Sequence, residues 1–590
     1  MDKQQIANKL EEMAVLLEFH GENVFKVRAF QNAARALAAT PEPLELLLEE
    51  PSRLEQIKGI GKSIAGVIRE FATTGKCKEF EQLRRRAPQG FDELIRVPGL
   101  GPKRLKTLVE ELGTQTLDQL ERVCRTGEVT RLPGFGDKTV EKLLAGIAQV
   151  RKFAGQWLFP QAWEYAQQLC DALKQVRGVK QIEIAGSLRR RKEIIRDIDI
   201  VVSASDAGFV AEKFANHPLV ERVLAKGETK VSVVLSNGMQ ADLRVVEDKA
   251  FACALQYFTG SKEHNAKLRG RAKQLRLKLN EYGLFREIDE SGESRELPLP
   301  VETEHDVYKA LGLQWIPPEL REDCGEIEAA EHGKLPTLVE LGNYRGTLHC
   351  HTTWSDGADS LEEMARAATL ELKLEYIGIC DHSQSATYAR GLEIERLREQ
   401  RAAIAELNRA RGIRVLAGVE CDIRPDGSLD YPDEVLEQLD VVVVSIHSHF
   451  QMTAEEMTER ICRALKHPCA DILGHVSGRL LLMREPYHFD LEQVVDTAAR
   501  CKTIIEINGD PYRLDLDWRY CRSAKERGIA FAVNPDAHSR GGLKNILFGL
   551  NVARKGWLTA ADVVNCLACE DLQKLLKERR EHRRRLLMAK

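Results

Sequence analysis

A chain of 590 residues is long enough for several domains, and 43% hydrophobic with 30% charged residues excludes a disordered or low-complexity class. No window approaches about 18 uninterrupted apolar residues, which argues against a membrane span; the polar start Met1–Gln5 is no secretory signal, and fourteen cysteines without a framework read as reduced thiols, so a cytoplasmic protein is expected. The net charge of −4 is uneven: residues 51–280 carry 41 Lys and Arg against 27 Asp and Glu, which suits a polyanion partner, whereas ten of the fifteen histidines fall within 341–590.

Residues 1–150 read as short amphipathic helices between glycine turns. Three turns repeat one pattern: Gly59-Ile60-Gly61-Lys62, Gly99-Leu100-Gly101-Pro102-Lys103 and Gly134-Phe135-Gly136-Asp137-Lys138. Each closes an apolar helix and opens another, so free N–H groups at a helix start can approach a phosphate, with a lysine adding charge. One such turn is common between helices; three with a basic residue nearby favour binding to a nucleic-acid backbone. They resemble helix-hairpin-helix motifs, which implies grip on DNA without sequence specificity.

From about 178 the pattern becomes strands, Val179–Ala185, Ile198–Ser203, Lys230–Leu235 and Gln240–Val246, with helical patterns between. Gly186-Ser187-Leu188-Arg189-Arg190 follows the first strand and offers N–H groups, a hydroxyl and guanidinium groups to a triphosphate. Asp197-Ile198-Asp199 puts two carboxylates on one strand face, and Asp242 adds a third from a second strand. Such a trio makes an oxygen cage for two Mg²⁺ ions (or Mn²⁺). With Tyr257-Phe258-Thr259-Gly260-Ser261, these motifs resemble the palm and thumb of a family X DNA polymerase over roughly residues 1–320.

The resemblance implies that Asp197, Asp199 and Asp242 are catalytic and bind the two metals, with Asp242 as base for the primer 3′-hydroxyl. Gly186, Ser187 and Arg190 would hold the dNTP phosphates, Tyr257 and Gly260 the sugar, and Asn265 and Arg269 the nascent base pair and template. Gly59, Gly61, Gly99, Gly101, Gly134 and Gly136 would contact DNA. Two positions depart from the family. Where members with lyase activity carry a Schiff-base lysine this chain has Val67, and Arg196 replaces a common glycine, which is strained if the backbone there needs φ > 0 and otherwise offers a further phosphate contact.

Arg321–Pro336 is acidic and apolar-poor and reads as a linker. Beyond it come seven apolar runs, each followed by a helical pattern: Thr347–His351, Tyr376–His382, Arg414–Asp422, Asp440–His449, Ala470–His475, Thr503–Asn508 and Ile529–His538. Candidate ligands cluster at their C-terminal ends, as in a βα-barrel active site. His349, His351, Asp356, His382, Glu420, His447, His475, Asp536 and His538 are hard to explain together without metals. His449, His467 and His488 read as structural. Arg479 and Arg513 suit either a phosphate clamp or folding salt bridges. The segment resembles a PHP (polymerase and histidinol phosphatase) domain, which implies up to three Mn²⁺ or Zn²⁺ ions, with Asp381 orienting His382 from behind.

The fold expected is multidomain, α and α/β. It comprises a helical DNA-binding domain (1–85), a second helix-hairpin-helix domain (86–150), a nucleotidyltransferase palm (151–258), a thumb (259–320), a linker (321–340), a distorted seven-stranded βα barrel (341–575) and a basic tail (576–590). The architecture resembles bacterial family X DNA polymerases. That implies gap filling in base excision repair with 3′→5′ exonuclease or 3′-end phosphoesterase work, on gapped or primer-template DNA, by a monomer in the bacterial cytosol or nucleoid. The alternative is a palm kept for DNA binding while the barrel does the catalysis; a small-molecule phosphatase would explain neither the glycine turns nor the basic block.

Overall fold

The computed structural model describes residues 3–40, 42–290, 293–410 and 412–588, which form two compact units, Met1–Ala154 and Gly155–Lys590. The first is all helix. Its three Gly-x-Gly turns share one geometry: Gly59, Gly99 and Gly134 have φ between +83° and +103°, the region where a side chain strains the backbone. Gly61, Gly101 and Gly136 are extended and start the helices Lys62–Thr74, Pro102–Leu112 and Asp137–Lys152. The residue between each glycine pair (Ile60, Leu100, Phe135) is buried and pins the turn to the core, while the space beside the second glycine is open. Val67 is buried in the same core, so that position presents no amine to DNA.

The second unit begins with a five-stranded sheet in the order Val179–Ile184, Asp197–Ala204, Gln240–Val246, Lys230–Leu235, Val220–Lys226. The second and third of these are parallel and the other pairs antiparallel. The four strands expected from sequence are present. Val220–Lys226 was not expected: it is almost wholly solvent-facing and has no buried apolar alternation to reveal it. Arg196 does not have positive φ, so its replacement of glycine strains nothing.

Beyond the palm, the helix Lys262–Gln274 and the antiparallel strands Leu277–Asn280, Gly283–Glu290 and Glu293–Leu299 build the thumb. The sequence suggests only polar turns after that helix, because exposed charged residues come in adjacent pairs, Arg286-Glu287 and Arg295-Glu296, and break any two-residue alternation.

The stretch expected as a linker is instead folded. Glu326–Glu331 is a helix whose Ile327 and Ala330 join the thumb core with Leu338 and Trp557. Its acidic residues are partners rather than a solvated run. Arg321 is buried on Glu304 at 2.7 Å, Glu326 meets His264 Nδ1 at 2.6 Å, and Glu322 accepts from Arg190 Nε at 3.0 Å.

The seven apolar runs form one all-parallel sheet in chain order: Gly346–Cys350, Tyr376–Ile379, Arg414–Asp422, Val441–Ser445, Ile472–Leu473, Ile504–Asn508 and Phe531–Asn534. The last strand returns to the first, with a parallel bridge between Cys350 and Ala537 and a hydrogen bond from His351 N to Ala537 O at 2.8 Å. The expected basic tail is the second half of a helix, Cys569–Met588, that closes one end of this barrel. Leu572 and Leu576 pack among Tyr376, Leu416, Ile472 and Ile504, and Arg580 and Arg583 are buried on Asp471 at 3.0 and 2.9 Å. A boundary at 575 would cut this helix. The palm core also reaches the barrel: Phe548 meets Phe159 at 6.1 Å, and Glu193 accepts from Arg519 and the Trp518 indole at 3.0 and 3.3 Å.

Candidate active sites

The palm site follows from strand register. Asp199 lies directly opposite Asp242 on the parallel pair, and Asp197 precedes it by two residues on the same face. Gly186 starts the short helix Gly186–Arg189 with φ +62°, and a Cβ there would stand 2.2 Å from Asp199 Oδ2. Beyond any N–H it offers a phosphate, this glycine is needed for its lack of a side chain, because any other residue would collide with the carboxylate.

Burial, then the charges of Asp197 and Asp242, push Asp199 up to about 7; burial and then Asp242 also raise Asp197. Three carboxylates that repel one another in a half-buried pocket fit divalent cations as their missing counter-charge. Asp242 also accepts from Gln240 Nε2 at 3.0 Å and lies 3.4 Å from Lys230 Nζ.

The expected nucleotide contacts are partly engaged within the protein. Arg190 bonds Glu322 and the Thr259 carbonyl and lies against Gly260 (φ +72°), where a Cβ would meet its guanidinium at 3.0 Å. Asn265 is buried between Gln256 (2.8 Å) and the Tyr257 carbonyl (2.7 Å), and Arg269 Nε reaches Asn265 O at 3.4 Å, so this pair secures the segment carrying Tyr257. Ser187 is half-buried beside the turn. Arg189, not singled out from sequence, joins palm to thumb through a two-pronged pair with Glu304 at 2.8 and 2.7 Å.

In the barrel, eight of the nine expected ligands fall into three groups whose donor atoms lie within 4.8 Å of one another: His349, His351 and Asp536; His382, Glu420 and His447; and His351, Asp356, His382 and His538. The ninth, His475, places Nε2 2.8 Å from Glu420 Oε1. His351 and His382 belong to two groups each. Buried imidazole nitrogens without a hydrogen-bond partner concentrate here: Nε2 of His349, both nitrogens of His351, Nδ1 of His382 and Nδ1 of His475. Buried nitrogens are rarely left so, and lone pairs converging with Asp and Glu oxygens fit transition-metal ligation. Burial, then neighbouring His538 and His382, push His351 down to about 3 and keep it neutral, whereas carboxylates outweigh burial at His447 (Glu420, Asp422) and His538 (Asp356, Asp536) and raise them to about 10 and about 9.

Two carboxylates missed from sequence complete the site. Glu506 is buried and accepts from His349 Nδ1 at 2.7 Å, His475 N at 2.9 Å and the amides of Asn534 and Asn508 at 3.0 and 3.1 Å. Asp422 accepts from His447 Nδ1 at 2.5 Å. Each fixes a histidine so that Nε2 faces the cluster. The available signal was a carboxylate inside an apolar strand, as in Ile504-Ile505-Glu506-Ile507.

Asp381 differs from expectation. It accepts from Thr352 N and Oγ1 at 2.8 and 2.6 Å, and also from Ser355 and Gln400, so it shapes the turn that presents Asp356 rather than orienting His382. Arg479 is a folding contact, bonded to Asp517 at 2.6 Å and the Arg513 carbonyl at 2.9 Å. Arg513 faces the cluster, with Nε 3.5 Å from Asp536 Oδ2.

Comparison with known proteins covers both halves. Family models match for a helix-hairpin-helix domain (residues 1–77), a SAM-like helix-hairpin-helix tandem (91–149), a DNA polymerase beta thumb (254–322) and a PHP domain (347–509). The DNA polymerase/3′-5′ exonuclease PolX of Bacillus subtilis (strain 168) is 38% identical over 580 residues, 98% of this chain and 100% of that protein. A probable phosphatase of Thermoanaerobacter sp. (strain X514) is 28% identical over 185 residues, 30% of this chain and 71% of that one.

Proposed function

Since the chain belongs to the bacterial family X DNA polymerases with a C-terminal PHP domain, we propose that it fills short gaps in DNA during base excision repair and trims 3′ ends in its barrel. It is a DNA polymerase with 3′→5′ exonuclease activity. The carrying observation is that one chain holds two complete acidic centres, Asp199 paired with Asp242 in the palm and three histidine–carboxylate groups in the barrel.

In the palm, Asp197, Asp199 and Asp242 would hold two Mg²⁺ or Mn²⁺ ions. In the barrel, the nine ligands would hold up to three Mn²⁺ or Zn²⁺ ions. Bound there, divalent ions would neutralise phosphate charge and make water a nucleophile near neutral pH. The residues do the rest. Asp242 takes the proton of the primer 3′-hydroxyl. Ser187 and the helix-start backbone at Gly186 receive the dNTP phosphates, with Arg190 held beside them; Tyr257 and Gly260 border the sugar, and Asn265 with Arg269 support that border. Gly59, Gly61, Gly99, Gly101, Gly134 and Gly136 let the three hairpins approach the DNA backbone. Glu506 and Asp422 hold ligand histidines, and Arg513 neutralises the scissile phosphate.

A palm kept only for DNA binding is disfavoured by Gly186, whose missing side chain leaves room for Asp199. Among the described residues no helix is long and apolar enough to cross a membrane; we propose a monomer that works in the bacterial cytosol. The test is a labelled primer on a one-nucleotide gap, with and without dNTPs, in Mg²⁺ and in Mn²⁺. Extension with dNTPs and shortening without them are expected; no extension in either metal overturns the polymerase reading.

A further inference from the structure

Resting on the reading of the barrel as the exonuclease, we propose that Tyr388 is a stacking platform for the 3′-terminal base of the strand being shortened. Tyr388 is a large side chain left 68% exposed, at the mouth of a cluster whose histidines are otherwise almost all buried. Its ring lies 6.0 Å from that of His382 and 6.3 Å from that of His447, both among the proposed ligands. A nucleotide whose phosphodiester enters the cluster therefore has its base within reach of this ring.

The loop that carries Tyr388 is firmly anchored. Ser383 N bonds Glu420 O at 3.0 Å, Leu392 N bonds His382 O at 2.8 Å, and Ser385 N bonds Asp430 Oδ2 at 2.8 Å. Gly391 sits so close under Ser383 that a Cβ would stand 1.9 Å from the Ser383 carbonyl oxygen. Arg390, two residues after Tyr388, bonds the carbonyls of Thr353 and Ser355, tying the loop to the turn that bears Asp356. With the backbone so fixed, only the ring itself has to be ordered at binding. Arg513, facing Asp536 nearby, supplies a cation for the phosphate, so Tyr388 addresses the base and Arg513 the backbone. Tyrosine suits this use because every base has a π-face, so an exonuclease can hold any terminal base without reading it. The residue is a positioning group for the terminal nucleotide, distinct from the ligands.

The test compares the full chain with Tyr388→Ala and Tyr388→Phe on three substrates. These are a single-stranded oligonucleotide with an ordinary 3′-terminal nucleotide, the same strand ending in an abasic residue, and the same strand ending in a propanediol phosphodiester, so that neither control ends in an aromatic ring. Loss of stacking on one base corresponds to a fall of about five- to a hundredfold in kcat/KM. That fall is expected for Tyr388→Ala on the base-bearing strand alone, mostly through KM, with Tyr388→Phe close to wild type. Equal losses on all three substrates would make Tyr388 a support of the cluster and overturn the proposal, as would an unchanged rate on the base-bearing strand. If wild type cleaves none of the three, the exonuclease reading itself falls, and this proposal with it.

Discussion

Lys555, at the end of the helix Ile546–Lys555 beside the barrel, places its ammonium 2.6 Å from the carboxylate of Glu322 at the end of the thumb, with both side chains almost out of solvent. The same ammonium donates to the carbonyls of Arg190 and Glu319 at 3.0 and 3.2 Å, and Glu322 holds Arg190 in turn. One barrel-side lysine thus anchors the segment that presents the proposed phosphate contact of the polymerase site.

Replacing Lys555 with methionine keeps the stem and removes the charge. Breaking a buried pair in this way costs about 3–5 kcal/mol. Thermal denaturation should show the loss, and single-nucleotide insertion should show a higher KM for dNTP, because Arg190 loses its support. Exonuclease rates on a folded sample should hold, since Lys555 is in none of the ligand groups. Unchanged stability and an unchanged KM would contradict the coupling.

Acid should loosen the same junction. Burial alone would raise the Glu322 carboxyl, but Lys555, Arg190 and Lys192 outweigh it and bring it down to about 2 from 4.5. A carboxylate with a depressed folded pKa stabilises fully above about pH 4.5, and that contribution disappears as pH falls through 2. The stability deficit of Glu322→Gln relative to wild type should be on the order of 3 kcal/mol at neutral pH and shrink steadily below pH 4.5. Denaturant unfolding at several pH values measures it; a deficit constant with pH would mean that packing, not charge, holds the junction.

Gly101→Val tests the hairpins without disturbing them. Gly101 has φ −71° and nothing within 4 Å of an added Cβ, so folding should change by no more than about 1 kcal/mol. The side chain would stand where a phosphate approaches. Affinity for all duplex sequences should fall alike, and the salt dependence should lose about one counterion. A change confined to one sequence in a fluorescence-anisotropy titration would contradict backbone recognition.

Glu506→Gln should weaken metal binding in the barrel by about 10- to 100-fold while leaving polymerase activity intact. Glu506 fixes His349 and meets no proposed substrate contact. Metal content after graded chelation is the measurement, and retention equal to wild type would remove Glu506 from the site.

Asp242→Ala should lower gap filling by about 10²–10⁴-fold from the lost proton transfer alone. Trimming of 3′ ends should persist, since every barrel ligand lies at or after His349. Conversely, His349→Ala with His351→Ala should abolish trimming and spare extension. Scoring extension and shortening separately on one gapped primer decides it; loss of both in folded Asp242→Ala would show that the palm supplies the nuclease with more than DNA binding.

The sequence revealed the parts whose physics is local. Asp-Ile-Asp on an apolar strand, Gly-x-Gly between helices, and histidines at strand ends each carry their geometry in a few residues. Less legible were residues defined by distant partners. Glu322 and Glu326 look like a solvated acidic run until Lys555, Arg190 and His264 are brought against them. Arg580 and Arg583 look like a basic tail until Asp471 is placed beneath them. Asp381 could be placed beside the cluster by its neighbour His382, but its true partners Thr352, Ser355 and Gln400 come from other turns of the barrel. The thumb hairpins escaped because charged residues along exposed strands mimic a loop.

The return of Phe531–Asn534 to the first strand has a practical consequence for anyone dividing this gene. A fragment ended at residue 509, where the PHP match stops, would leave Gly346–Cys350 and Ile504–Asn508 as two bare edges, long known as templates for unwanted strand pairing. It would also lack Asp536, His538 and the plug formed by Leu572 and Leu576. A free-standing nuclease therefore has to be cut after the closing helix Cys569–Met588, not after the last recognisable motif.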